Sequence, residues 1–501
     1  MQARALPFAL LSLLAAQAPA QRHDALHPPN TYRNADNPHY WRNRPPHEAY
    51  WQQDVHYTLR ARLDEVADRI EGEGSLVYWN NSPDTLRHVF FHLYQNAYNA
   101  GSHADLMDNG RATRGDTAEH GTTLAHLRVG AADLRVELDN TVLKAWLPEP
   151  LPPGGRVTFS MAFTTHYGMD VQRRMKLFNA WGFKHYDGVH WYPRIAVYDA
   201  HMGWDTQQHL GNELYGDFGT FDVTLDMPND MVVEATGWLQ NRDEVLPRDL
   251  RERLDLARFA DKPWNEAPSV VTPYEPGRRK RWRFHAENVH DFAFTADPTY
   301  RIGEAEWNGV QCIAVAQEPH ASKWQNAAEY CAKVIRSHSL NFGMYAYPKM
   351  VVADARDGME YPMLTLDSGN EPNYRGLFVH EIGHNWFYGM VGNNETYRAM
   401  LDEGFTQFLT AFGLTDIDGD TLVEEEPGTA WERRFTEPAS PRESEVYRDY
   451  MRDAVRDALP PISTHSDGFG HYEKQGSGGY GHVYYKTATM LYNLQYVLGD
   501  T

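Results

Sequence analysis

The sequence predicts a multidomain protein in which an amino-terminal antiparallel β domain, of sandwich or saddle form, is followed by an α+β domain. Three observations carry this reading. The chain has 501 residues, too many for one ordinary core. From Tyr50 onward, apolar and polar side chains alternate between turn residues, as antiparallel strands require. After about Asp297, strand-like and helix-like runs intermingle instead.

The elements follow in order. The first twenty residues, MQARALPFALLSLLAAQAPA, place Arg4 before an apolar run from Ala5 to Ala16 and close on Ala18-Pro19-Ala20. This is the layout of a cleavable secretory signal, so export (periplasmic or extracellular) after cleavage near Ala20 is expected. Residues 21–48, rich in Pro, Asn, Arg and His without periodicity, read as an extended leader or linker. The β domain, 49–298, is read from VHYTLRARL at 55–63, GSLVYWNNS at 74–82, FGTFDVTLDMP at 218–228 and RWRFHAENVHDFAF at 281–294.

In the α+β domain, 299–501, a strand at 309–316 precedes a helix beginning near Trp324. Strands at 350–354 and 361–366 lead to a helix around His380, and polar loops at 415–444 and 460–481 come after it. The run DIDGD at 416–420 carries its glycine fourth rather than sixth, so it reads as a solvated acidic turn and not a calcium loop.

Composition excludes several classes. A formal charge of −21, more negative still without Arg4, argues against nucleic acid or an anionic lipid surface as partner, since both demand clustered cations. No run of 18 apolar residues follows the amino terminus, so no transmembrane segment is expected. Two cysteines, Cys312 in a strand-like run and Cys331 in a helix-like one, do not make a disulfide scaffold, and whether they pair stays open. Nothing in the sequence sets an oligomeric state.

The chemistry concentrates in VHEIGHNWF at 379–387. On a helix, residues i and i+4 lie about 40° apart, so His380 and His384 project from one face and can share one cation. Glu381, rotated by about 100°, can touch a metal-bound water without binding the metal. A chance HExxH turns up in roughly one such histidine-rich chain in a dozen, so a third ligand decides. Glu403 supplies it, with eighteen residues between it and His384, at the start of a predicted helix, GFTQFLTAF, expected to pack on the first through Phe405, Phe408 and Leu409. His/His/Glu with an open fourth position is a recurring catalytic zinc set, whereas a structural zinc favours cysteines.

HExxH, eighteen residues and a glutamate in a DEGF context together resemble the gluzincin zinc aminopeptidases, of the aminopeptidase N and leukotriene hydrolase type. The resemblance extends from about residue 50 onward, through LYQNAY and AENVHDFAF. It implies a thermolysin-like catalytic domain, one catalytic zinc ion and peptide substrates. Asp357-Gly358-Met359-Glu360-Tyr361 is similar to the family's GxMEN motif, which implies that Glu360, with Gly358 and Met359, binds a substrate amino terminus along an edge strand. Val483-Tyr484-Tyr485-Lys486 resembles its Tyr-x-Lys motif, which assigns oxyanion stabilisation to Tyr484, with Tyr485 the neighbouring candidate. Glu381 is the implied general base.

Two departures stand out. The family's Asn after the motif glutamate is Tyr361 here, and the sequence stops at Thr501, where the family continues through more helices, so a shortened or incomplete catalytic domain is expected. Two other readings accompany the aminopeptidase: a zinc endopeptidase, and a zinc-stabilised binding protein of the cell envelope. The run Trp191-Tyr192-Pro193-Arg194 either borders the first substrate pocket or ends a strand of the sandwich.

Overall fold

The computed structural model describes residues 32–107, 120–168, 174–211, 213–260, 262–263, 265–423, 429–435, 439–455, 459–469 and 481–499. The expected signal, 1–20, lies outside them.

Residues 32–48 are not extended. Tyr32 and Tyr40 are buried, and Asp54 in the first strand accepts from Arg33 Nε at 2.8 Å, Tyr40 Oη at 3.0 Å and Trp41 Nε1 at 2.8 Å. Aromatic and arginine side chains scattered without period gave no strand or helix signal, yet they have apolar area to bury and one carboxylate to converge on.

The β domain is built on an eight-stranded sheet ordered Trp238–Leu239, Arg279–Val289, Gly219–Pro228, Asp54–Asp64, Arg69–Trp79, Arg156–His166, Thr122–Val129 and Ala132–Asp133. Period-two alternation does the work expected of it. Val55, Tyr57, Leu59, Ala61 and Leu63 are all buried, and Tyr57 stacks on Phe221 at 4.9 Å. One pairing departs from the antiparallel expectation: Asp54–Asp64 runs parallel to Gly219–Pro228, with Leu59 opposite Val223. Alternation has the same period in both kinds of sheet, so the sequence pattern could not distinguish them. Two four-stranded sheets share the same apolar core. Trp191 and Tyr192 belong to that core, and Arg194 pairs with Asp291 at 3.2 Å, which places this run at a strand end inside the β domain.

The chain from Tyr300 onward holds a five-stranded sheet ordered Tyr300–Trp307, Val310–Gln317, Lys349–Asp354, Leu364–Asp367 and Met359–Tyr361. The single strand expected at 361–366 is two, because the chain reverses at Pro362-Met363, where Met363 takes φ 65°. Met359–Tyr361 is therefore the edge strand. Four helices matter here: α1 (Ala327–Phe342), α2 (Tyr374–Gly383), α3 (Glu403–Asp418) and α4 (Thr487–Leu498). Helix α1 starts after Trp324 because the turn Glu318–Lys323, with Pro319 near its start, comes first.

Helix α3 continues to Asp418, and Ala430–Phe435 is helical, so part of the loop expected at 415–444 is helix. Asp418 accepts from Arg375 at 2.8 Å and Tyr330 at 2.6 Å, which ties the acidic turn to the fold. Cys312 and Cys331 are buried neighbours without a disulfide between them. Among the described residues, no helix is long and apolar enough to cross a membrane.

Candidate metal and active site

Helix α2 carries His380 and Glu381, and His384 continues its path as the αR residue that closes it, its N–H reaching the His380 carbonyl at 3.2 Å. Helix α3 approaches closely through small side chains rather than through aromatics. A Cβ on Gly383 would meet Thr406 Cγ2 at 3.1 Å, and one on Gly413 would meet Val379 at 2.7 Å. Glu403, Thr406, Thr410 and Gly413 fall on one helical face, so Glu403 is delivered to the histidines by the same packing. Phe405 and Phe408 are only partly buried and meet Phe387 and Phe342 instead, while Leu409 lies in the core.

Three atoms converge: His380 Nε2, His384 Nε2 and Glu403 Oε2, separated by 3.1, 3.2 and 3.3 Å. Ligands about 2.0 Å from a tetrahedral zinc are about 3.3 Å apart, so this triangle fits the ion as it stands. Both histidines have their other nitrogen engaged. His384 Nδ1 meets Asp402 and His380 Nδ1 meets Thr410 Oγ1 at 3.1 Å, the outer partners that orient a metal-binding imidazole.

The electrostatics favour a cation. Burial would lower the His384 pKa, yet Asp402 and Glu360 outweigh it and hold it well above the usual histidine value. Burial pushes Glu403 up, but the two histidines more than reverse that, leaving its carboxylate below the usual range. The same carboxylates attract a metal ion, which would take the imidazole in its neutral form and release that proton.

Around the triangle stand further carboxylates. Glu381, Glu360 and His384 offer ligand atoms within 4.8 Å of one another. Burial, then the repulsion of Glu360, pushes the Glu381 carboxyl well up, and its Oε2 has no hydrogen-bond partner among the described residues. A Cβ on Gly358 would sit 3.0 Å from Glu381 Oε1 and 3.1 Å from Leu377 Cδ1, so the glycine leaves room for the carboxylate. Glu360 and Met359 are buried on successive positions of the edge strand, facing opposite ways, and Tyr361 turns to His190 at 3.4 Å in the β domain. Tyr484 donates to Glu403 Oε1 and stacks on His380, whereas Tyr485 is near Asp449.

Three residues were missed in the sequence. Asp402 could have been read from its place beside Glu403. Glu213 and Glu395 could not: they join Glu360 in a buried group within 4.8 Å, brought there by tertiary folding. Glu213 pairs with Arg174 at 2.5 Å, and Arg174 also reaches the Gly358 carbonyl at 3.4 Å. Lys176 holds Asp357 at 2.5 Å, so the β domain clamps the loop before the edge strand.

No family model matches the chain, and no curated protein matches its sequence. Solved structures do share its fold, and those below are zinc metallopeptidases. In particular they are M1 enzymes: a zinc metallopeptidase from Deinococcus radiodurans superposes with a TM-score of 0.54 at 14% identity, covering 90% of this chain and 83% of that one. A mutant of it bound to a Tyr-Ser-Ala substrate gives 0.51 at 14% identity, covering 90% and 84%. A two-domain mutant form bound to L-tryptophan gives 0.54 at 15%, with the same coverage.

Proposed function

We propose that the protein is a zinc-dependent aminopeptidase that removes residues from the amino end of peptides. The observation that carries this is the His380, His384, Glu403 triangle, sized for zinc, with Glu381 and Glu360 beside it. The peptide and amino-acid complexes of the M1 metallopeptidase with this fold support peptide substrates.

His380, His384 and Glu403 would hold the ion, which when bound supplies Lewis acidity toward a carbonyl and lowers the pKa of water. Glu381 takes the proton from the attacking water and returns it to the leaving amine. Tyr484, turning from Glu403 Oε1, donates to the carbonyl oxygen as negative charge develops there. Glu360, with Glu213 and Glu395 behind it, receives the substrate ammonium, and the Met359–Tyr361 edge offers backbone groups to the peptide. An ammonium anchored there allows only the first peptide bond to reach the reacting groups.

The test incubates a peptide with a free amino terminus and its acetylated twin with the protein, with and without chelator, and follows products by mass. Stepwise loss of amino-terminal residues from the free peptide only, abolished by chelation and restored by zinc, is the expected result. Internal cutting of both peptides would replace this reading with an endopeptidase. Binding of zinc without cleavage of either would favour a binding protein.

A further inference from the structure

Away from the zinc-type site lies a cavity of about 430 Å³, within the range of small-molecule sites. Its walls come from the 47–52 segment, the 197–201 turn, residues 215–218 and Gly392, and none of the residues assigned to the peptidase site lines it. Four of its faces are aromatic: Tyr50, Trp51, Tyr215 and Phe218. Two carboxylates, Asp199 and Asp217, enter it, and neither lysine nor arginine is among its described lining residues.

The two acids differ in what they already hold. Asp199 accepts from Tyr215 Oη at 3.0 Å and from the backbone of His201 and Met202. Asp217 is only 7% exposed, and its Oδ2 is buried without a hydrogen-bond partner among the described residues. The neighbouring charges do not satisfy it. Asp54 and Asp199 repel it, and Arg194, the cation that acts on it among the described residues, is committed to Asp291 and the His290 carbonyl. His47 and His201 also line the cavity. A buried carboxylate oxygen with no donor costs free energy that a bound cation removes.

We propose that this cavity is a binding site for an organic cation, an ammonium or guanidinium group that enters between the aromatic walls and ends on Asp217. Carboxylate and π faces together select positive charge over an apolar group of equal size. The group belongs either to a free small amine or to a lysine or arginine side chain of a bound peptide, and the chemistry is the same for both. The segment 47–52, which straddles the expected boundary between linker and β domain, forms one wall.

The test uses the full zinc-loaded chain with n-butylammonium and methylguanidinium as probes and n-butanol as the neutral control, at matched ionic strength, followed by NMR titration. Saturable binding of both cations at one site is expected, at least tenfold weaker in Asp217→Asn, with n-butanol at least tenfold weaker than n-butylammonium. Trp51→Leu, a change at a half-exposed wall, provides a second variant and should weaken the cations several-fold. Equal binding of n-butanol, undiminished binding in either variant, or no saturable binding overturns the proposal. The source follows from peptides differing by lysine or norleucine downstream of the first bond. A lysine advantage lost in Asp217→Asn assigns the site to substrate, and cation binding that leaves both rates unchanged assigns it to a free ligand. Binding is read without turnover, so its outcome does not depend on the peptidase reading.

Discussion

The Tyr484 hydroxyl donates to Oε1 of Glu403, the oxygen opposite the one that faces both histidines. The tyrosine thus contacts the Glu403 carboxylate without competing for the oxygen proposed as a metal ligand.

Tyr484→Phe keeps the ring stacked on His380 and removes only the donor. It should lower kcat about 100-fold with zinc content and Tm unchanged. Steady-state kinetics beside metal analysis check this, and loss of zinc would show that the hydroxyl serves Glu403 alone.

Asp402→Asn removes the carboxylate that meets His384 Nδ1. Zinc affinity should fall about 10- to 100-fold in chelator competition, with activity largely recovered at saturating zinc. A variant that binds zinc as tightly as the native chain would refute the orienting role.

Glu381→Gln should reduce kcat by at least about 1000-fold while zinc stays bound. Gly358→Ala acts on the same group from outside. The added methyl meets Glu381 Oε1 and Leu377 Cδ1, and should cost about tenfold or more in kcat with little change in zinc content. Unchanged turnover in Gly358→Ala would mean that the carboxylate has room to shift.

The convergence of His380, His384 and Glu403 was legible because their relations are local: i,i+4 on α2, then the first residue of α3. Glu381 followed from the same turn of helix. The β domain's strands were legible from period two, but their parallel neighbour was not, since pairing direction leaves no trace in alternation. Glu213 and Glu395 were invisible for another reason: a single carboxylate in a loop or at the start of a short helix is ordinary until the fold sets two more beside it. Tyr361 was read as a departure in substrate recognition; its hydroxyl turns to His190 and its ring lies in the core, so it also serves packing.

Stability should depend on pH through His185, fully buried with Asp187 and Asp297 each 3.0 Å away. Burial alone would lower its pKa, but the two carboxylates outweigh that and raise it to about 9. The folded value exceeds the unfolded one, about 6.5, so this stabilisation is complete below about pH 6.5 and disappears as pH rises through 9. Tm should fall across that window, and His185→Gln should flatten the fall while lowering Tm at pH 6. A native Tm flat between pH 6.5 and 9 would exclude the effect.

The parallel pairing of Asp54–Asp64 with Gly219–Pro228 also shapes how the chain acquires its structure. A ribosome delivers the first strand and its hairpin partner, Arg69–Trp79, long before the strand that covers the other edge. Until then, Asp54–Asp64 presents a row of free amides and carbonyls, and closing so long a loop is entropically slow. The nascent β domain therefore passes through a period of open-edged vulnerability that ends only when Gly219–Pro228 docks, and a holding chaperone would have the most to protect in that interval.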